Sequence, residues 1–189
     1  MIQPPFSSRR KNSMEKCFEL LNKDKPIILE FGMTRVLDGC EGDGYSTIHW
    51  AYQIAQYGGS LISIDIDPQT INVSSALIKF YEISTNNIFL VCADAMSFLD
   101  SFELKKIDLL YLDAWDYLGN QEELDKSSKM HLQAFLKCEP MLKSGSLVLI
   151  DDILDTQTLI GKGKEVIPYM EIIGYENCYR DYQFLYRKP

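Results

Sequence analysis

Apolar positions in this chain fall into short unbroken blocks, separated by stretches where they recur every three or four residues. The blocks are "IILEFG" (27–32), "LISIDID" (61–67), "IFLVCAD" (88–94), "IDLLYLD" (107–113) and "GSLVLIDD" (145–152). Each is shorter than an ordinary helix and rich in strand-forming residues, so each predicts a buried strand. Helical spacing appears in "SMEKCFELL" (13–21), with Phe18 and Leu21 on one side, and in 47–57, where Ile48, Ala51, Ile54 and Ala55 precede the stop signal Gly58-Gly59. Pro68 opens another helix whose apolar face is Ile71, Ala76, Leu77 and Phe80. "AMSFLDSF" (95–102) is a short helix, "EELDKSSKMHLQAFLKCEPML" (122–142) a long one interrupted near Pro140, and "GKGKEVIPYMEIIGY" (161–175) a turn and helix carrying Pro168. The last residues, "NCYRDYQFLYRKP", predict a hairpin around Arg180-Asp181. Strands separated by helices imply right-handed crossovers and a parallel sheet covered on both faces. The expectation is an α/β, Rossmann-like doubly wound sheet closed by an antiparallel hairpin. Residues 1–24 form a tail and short helix in this reading, and 25–189 a single domain.

Bulk properties narrow the partners. The 189 residues carry a formal net charge of -8 and a pI near 4.8. Such a chain repels phosphate backbones, which argues against nucleic acid as a partner. Its densest basic spot, Arg9-Arg10-Lys11, reads as a solvated, flexible tail. The five cysteines include no CxxC pair, and no apolar leader or membrane-length apolar run is present. Reduced thiols, a cytoplasmic location and no membrane partner follow as expectations. Two histidines leave little material for a His-rich zinc site or a Ser-His-Asp triad.

Doubly wound sheets bind ligands outside the carboxyl ends of their strands. Here every one of those ends carries an acid: Glu30 in the first, Asp65 and Asp67 at the second, Asp94 at the third, Asp113 and Asp116 at the fourth, Asp151 and Asp152 at the fifth. Capping explains single cases, and Asp67 before Pro68 reads as a helix cap. It explains the whole set poorly. The glycine-rich stretch "VLDGCEGDGYST" (36–47) has neither the GxxxxGK[ST] of a phosphate loop nor a GxGxxG. Glu41 and Asp43 would repel a pyrophosphate. A phosphate-free cofactor that still has a ribose fits better, and Asp65, 21 positions after Gly44, stands at the spacing of a ribose-binding acid.

From Ile27 to Pro189 the motifs resemble class I S-adenosylmethionine-dependent methyltransferases, in particular the small-molecule O-methyltransferase branch of catechol and sugar enzymes. "ILEFG" with "GDGYST", then "LISIDIDP", "VCADA", "LLYLDAWDY" and "LVLIDD", occur in the family's order. The resemblance implies strand order 3-2-1-4-5-7-6. It implies that Glu30 and Gly32 face the methionine part of the cofactor, that Gly44 permits close backbone approach, and that Ser46 bonds the amino-acid end. It further implies Asp65 on the ribose, Asp94 and Ala95 beside the adenine, and Trp115 as an adenine wall or as buried structure. The metal-dependent branch implies Mg²⁺ held by Asp113, Asp151 and Asp152, with Asp113 as the acid that can act as base. Catechol-type enzymes place a lysine where this chain has Asp116, so Asp116 joins Asp113 as a catalytic candidate in the all-aspartate manner of the sugar-methylating relatives. One departure is an insertion of about eight residues around Arg35. Tyr117, Asn120, Gln121 and Thr156 suit a polyhydroxylated acceptor, a sugar or glycan building block ahead of a phenol. Gly161-Lys162-Gly163-Lys164 reads as a turn and helix start, not as a phosphate site. Other transferase chemistry on the same fold, or cofactor binding without chemistry, are the alternatives. A homodimer is the larger assembly expected.

Overall fold

Five parallel strands form the centre of the computed structural model, which describes residues 1–21, 24–101, 104–116 and 119–189. They are β1 (Ile27–Phe31), β2 (Ser60–Asp65), β3 (Ile88–Cys92), β4 (Ile107–Leu112) and β5 (Leu142–Ile150). A short ribbon follows, β6 (Ile153–Asp155) with β7 (Ile160–Gly161), and then the closing hairpin β8 (Glu176–Arg180) and β9 (Phe184–Arg187). The main sheet runs β3-β2-β1-β4-β5-β9-β8, with β9 antiparallel to β5 and to β8. This is the expected order, since β8 and β9 are the sixth and seventh strands of that sheet. The β6–β7 ribbon is an addition that the apolar pattern did not announce, because "ILDTQTLIG" has no period-2 run long enough to read.

Helices cover both faces. On one side lie α1 (Lys11–Leu21), α3 (Ser46–Tyr57) and α4 (Pro68–Phe80), with the four-residue α2 (Cys40–Asp43) inside the insertion. On the other lie α5 (Ala95–Ser101), α6 (Gln121–Cys138) and α7 (Val166–Ile172). Strand side chains alternate between the two layers. Ile28, Leu61, Leu109, Tyr111, Leu147 and Leu149 pack under Trp50, Ile48 and Ala51 of α3 and Met14 and Cys17 of α1. Leu29, Phe31, Ile62, Leu110, Leu112, Val148 and Ile150 pack under Phe135 and Ala134 of α6 and Val166, Ile167 and Met170 of α7. β1, β4 and the second half of β5 (147–150) are buried on both faces, which is why their sequences are nearly all apolar.

Local chemistry sets the ends. Asp67 caps α4 by accepting from the Gln69 backbone N–H, with Pro68 in the first turn, and Asn120 caps α6 through the Glu123 N–H. Gly58 ends α3 by donating to the Ile54 carbonyl. α1 is no appendage: Met14, Cys17 and Leu21 are buried in the α3-side core, so the helix belongs to the same packed unit as the sheet. The five cysteines are unpaired.

Gly59 lies where the entries to the parallel strands β1 and β2 run side by side, at φ +102, and a Cβ there would sit 2.3 Å from the Pro26 carbonyl oxygen. Gly145 has φ +80 with open space around it. Gly145→Ala should therefore cost about 1 kcal/mol, the left-handed penalty alone. Gly59→Ala adds a backbone collision and should cost roughly 3 kcal/mol or more. Urea unfolding of the two variants at matched slopes checks the ordering, and equal losses would remove the close-approach constraint.

Candidate functional site

The strand order reverses between β1 and β4, and crevices form where the chain leaves such a pair in opposite directions. A cleft of about 720 Å³ opens there, above the carboxyl ends of β1 to β4. Gly32, at φ +90, makes its floor: a Cβ at this position would lie 2.8 Å from the Asp113 carbonyl oxygen, so only glycine lets the ends of β1 and β4 close together. The insertion forms one rim. Its Arg35 backbone N–H donates to Asp43, and its guanidinium reaches across to Asp116.

Several of the expected cofactor residues line this cleft. Asp65 ends β2, and its Oδ2 and Oδ1 accept from the backbone N–H groups of Met33 and Asp67, both at 2.9 Å. Asp94 lines the cleft while capping α5, its Oδ1 accepting from the Ser97 N–H and hydroxyl. Ala95 and Trp115 face the same space, and Trp115 also packs edge-on against His131 and tilted against Phe31. Trp115 is thus both wall and packed structure.

Three expected residues lie elsewhere. Glu30 points into the α3-side layer, fully buried beneath the start of α3, where it accepts from the Ser63 hydroxyl. Ser46 is buried on that same side, away from the cleft lining. The period of the strand decides this: Gly32 and Glu30 sit beside Phe31 and Leu29, and Glu30 shares the Ile28 face. Burial pushes the Glu30 carboxyl up to about 7, against the pull of the Ser46, Ser63 and Thr47 hydroxyls. Gly44 ends α2 in the left-handed conformation, and a Cβ on it would sit 2.6 Å from Arg10 Cδ. The space that Gly44 leaves is filled by an arginine of this chain. Tyr117 lies outside the described residues.

The acidic half of the site differs most from expectation. Asp113, Asp116 and Asp152 bring one carboxylate oxygen each within 4.8 Å of one another. Their common point is taken by the Lys162 ammonium. Its Nζ lies 2.6 Å from Asp113 Oδ1, 3.0 Å from Asp116 Oδ1 and 2.9 Å from Asp152 Oδ2, and it also donates to the Asp113 carbonyl at 2.8 Å. Asp151 is not part of this group. It is fully buried, and its Oδ2 accepts from Arg10 Nε at 2.8 Å and from the Tyr111 hydroxyl at 2.7 Å, while Oδ1 accepts from the Asp152 N–H. A left-handed turn at Asp152 (φ 52) separates the two neighbouring carboxylates: Asp151 faces Arg10, and Asp152 faces Lys162 with Arg10 at its other oxygen, 3.4 Å away. The trio Asp113, Asp151 and Asp152 therefore does not converge, and the trio that does converge already encloses a cation. This donor set does not fit the Mg²⁺ that the family resemblance implies.

Electrostatics follow the geometry. Burial pulls the Lys162 ammonium toward neutrality, but Asp113, Asp152, Asp116 and Asp151 outweigh it and hold the charge well above the ordinary lysine range. Burial opposes ionisation of Asp152 and Asp116 as well. Lys162 overrides it for both, helped by the Tyr182 hydroxyl at Asp152 and by Arg35 at Asp116, and keeps them below the usual carboxylate value. Asp113 goes the other way: burial first, then the Asp151 charge, raise it despite Lys162.

Arg10 and Lys162 are the residues that sequence reasoning misjudged. Arg10 was expected in a solvated tail, yet it is 4% exposed, stacks over the Tyr182 ring at 4.9 Å and lines the cleft. Lys162 was expected in a turn. The turn is there, but Gly161 (φ +132) presses against the Asp152 backbone, where a Cβ would meet the carbonyl oxygen at 2.0 Å, and this delivers Lys162 into the acids. The only signal was compositional: a lysine between two glycines, and an arginine run in an otherwise acidic chain.

A family model described as a methyltransferase domain matches residues 41–153, more than half of the chain. No curated protein sequence matches significantly. Among solved structures, the fold is similar to the O-methyltransferase TomG from Streptomyces achromogenes, involved in tomaymycin synthesis and solved with SAM. That likeness has 12% identity and a TM-score of 0.65 over 98% of this chain and 83% of the other. An O-methyltransferase from Bacillus cereus in complex with SAH gives 13% identity and a TM-score of 0.63 over 98% and 84%. NSun6 from Pyrococcus horikoshii with SFG gives 16% and 0.68, over 97% of this chain and 52% of that one. At such identities the likeness is one of fold.

Glu30 supplies a pH test. An acid whose pKa is higher folded than unfolded draws protons to the folded state, so its contribution to stability falls as pH climbs from 4.5 through about 7. Glu30→Gln removes the ionisation and should leave stability near wild type at pH 5. At pH 8 it should gain up to about 3 kcal/mol. Thermal melts at both pH values decide it, and an equal loss at both would mean that the carboxyl is not held high.

Proposed function

The chain belongs to the methyltransferase-domain family, and on that premise we propose that it transfers a methyl group from S-adenosylmethionine to a hydroxyl of a small acceptor. What supports this above all is the continuity of one cleft, which runs from Asp65 and Asp94 to the Asp113–Asp116–Asp152 group. A sugar or glycan building block is the acceptor class, ahead of a phenol. The acceptor end is lined by Asp116, Asp152, Arg35 and Tyr182, a set that matches hydroxyl groups better than an apolar ring.

The cofactor half suits a nucleoside without phosphate. Asp65 retains a free lone pair on each oxygen for ribose hydroxyls, Asp94 has an oxygen beyond its cap, and Ile66, Ala95 and Trp115 offer apolar surface for a base. When bound, S-adenosylmethionine supplies an electrophilic methyl group on a sulfonium centre. In this reading Asp113, which lines the cleft at the carboxyl end of β4, accepts the proton of the acceptor hydroxyl. Asp116, held from both sides by Lys162 and Arg35, orients the acceptor. A cytoplasmic location, with neither nucleic acid nor membrane as partner, belongs to the same reading; among the described residues no helix is long and apolar enough to cross a membrane.

Incubation with labelled S-adenosylmethionine and a panel of sugars and phenols, read by mass spectrometry, tests the activity. A melting temperature that rises with a nicotinamide dinucleotide and not with S-adenosylmethionine would sink the reading.

Asp65→Ala should weaken cofactor binding roughly a hundredfold to ten-thousandfold in calorimetry, through two lost charge-assisted bonds. It should also lower stability by about 1–3 kcal/mol, because the Met33 and Asp67 N–H groups lose their acceptor. Unchanged affinity would move the ribose elsewhere. Asp113→Asn should leave cofactor affinity intact while the turnover rate falls about 10²–10⁴-fold. A rate within a few-fold of wild type would assign the proton to another group.

A further inference from the structure

We propose that Lys162 is the resident cation of this site, a side-chain ammonium occupying the place where an acidic cluster of this kind would otherwise hold a divalent metal ion. Four oxygens surround its Nζ within 3.0 Å: one from each of Asp113, Asp116 and Asp152, and the Asp113 carbonyl. Those three carboxylates approach one another closely enough to need a positive charge between them.

Burial separates this lysine from an ordinary surface one. Lys162 is 1% exposed, and lysine is almost never buried unless paired. Its approach is built into the backbone. The β6–β7 ribbon sets Gly161 against Asp152, the Lys162 N–H donates to the Asp152 carbonyl, and the side chain then has one direction to take. A second cation closes the remaining opening: Arg10 holds Asp151 and also reaches Asp152, and the Tyr182 hydroxyl donates to Asp152. No carboxylate of the group is left to start an inner coordination shell. A metal ion would have to expel a buried ammonium and leave that charge without its partners.

The cation assignment stands on geometry; its catalytic consequence rests on the methyl-transfer reading above. If both hold, the site activates its acceptor through carboxylates that Lys162 positions, and a chelator does not affect the rate.

The test titrates Mn²⁺ alone into the full-length protein and follows the loss of the free-ion EPR signal. Wild type should bind no Mn²⁺ at the site up to millimolar concentrations, and Lys162→Met should gain binding at least tenfold tighter, lost again when Asp152→Asn is added. Binding of Mn²⁺ by wild type that Asp152→Asn removes overturns the proposal, as does a folded Lys162→Met that binds none. If Lys162→Met does not fold, the wild-type titration decides alone. Methyl transfer is measured separately with and without excess chelator: a rate unchanged within twofold supports the proposal, and a loss restored by Mg²⁺ overturns it. Because Mn²⁺ is read directly, absence of any methyl transfer would count against the proposed function while leaving the cation result intact.

Discussion

Charge compensation at the carboxyl ends of β4 and β5 governs the architecture around it. Asp113, Asp116, Asp151 and Asp152 crowd one sheet edge, and carboxylates out of water repel one another unless cations come with them. This protein brings the cations from its own chain, and from opposite ends of it. Arg10 arrives from before α1 and Lys162 from the turn after β7. Each must be carried across the molecule and held, so much of the peripheral structure serves that delivery. The β6–β7 ribbon, the glycine at 161 and the left-handed backbone at Asp152 all act on one side of the problem. The glycine at 44, which makes room for the Arg10 side chain, acts on the other.

The residues before α1 are fastened accordingly. Phe6 stacks on His49 with ring centroids 3.7 Å apart, the His49 Nε2 pairs with the Pro5 carbonyl, and Ser8 donates to Glu41 in the insertion. Burial lowers His49 to about 4, so that ring is neutral near pH 7 and packs as an aromatic. The N-terminal segment and the insertion thus brace each other, and together they set Arg10, Arg35 and Asp43 around one rim of the cleft. The sheet supplies the floor, and the rim comes from segments remote in sequence.

A division of labour between the two halves of the cleft follows from this. On the β2 and β3 side, carboxylates are satisfied by nearby backbone N–H groups: Asp65 by Met33 and Asp67, Asp94 by Ser97. Apart from the Met33 bond, which links the ends of β1 and β2, those bonds are local, and all of them leave lone pairs open to a ligand. On the β4 and β5 side, carboxylates are satisfied by side-chain cations across long sequence separations. That half is electrostatically closed and strained at Trp115 and Asp152, both with φ 52.

By itself the sequence determined the layered α/β class, the helix caps at Asp67 and Gly58, and the edge of the sheet where chemistry gathers. These features are periodic or local: apolar blocks, a 3.6-residue repeat, a proline after an aspartate, acids at the ends of strands. Only the tertiary structure decided which of those acids share a space. Glu30 turned to the far face because one residue along a strand reverses the side-chain direction. Asp151 and Asp152, neighbours in sequence, were parted by one left-handed residue. Lys162 and Arg10 became part of the site although neither stands at the carboxyl end of a strand of the main sheet. Their positions depend on long-range contacts, and a buried charge reveals itself only when its compensating partners are seen in place.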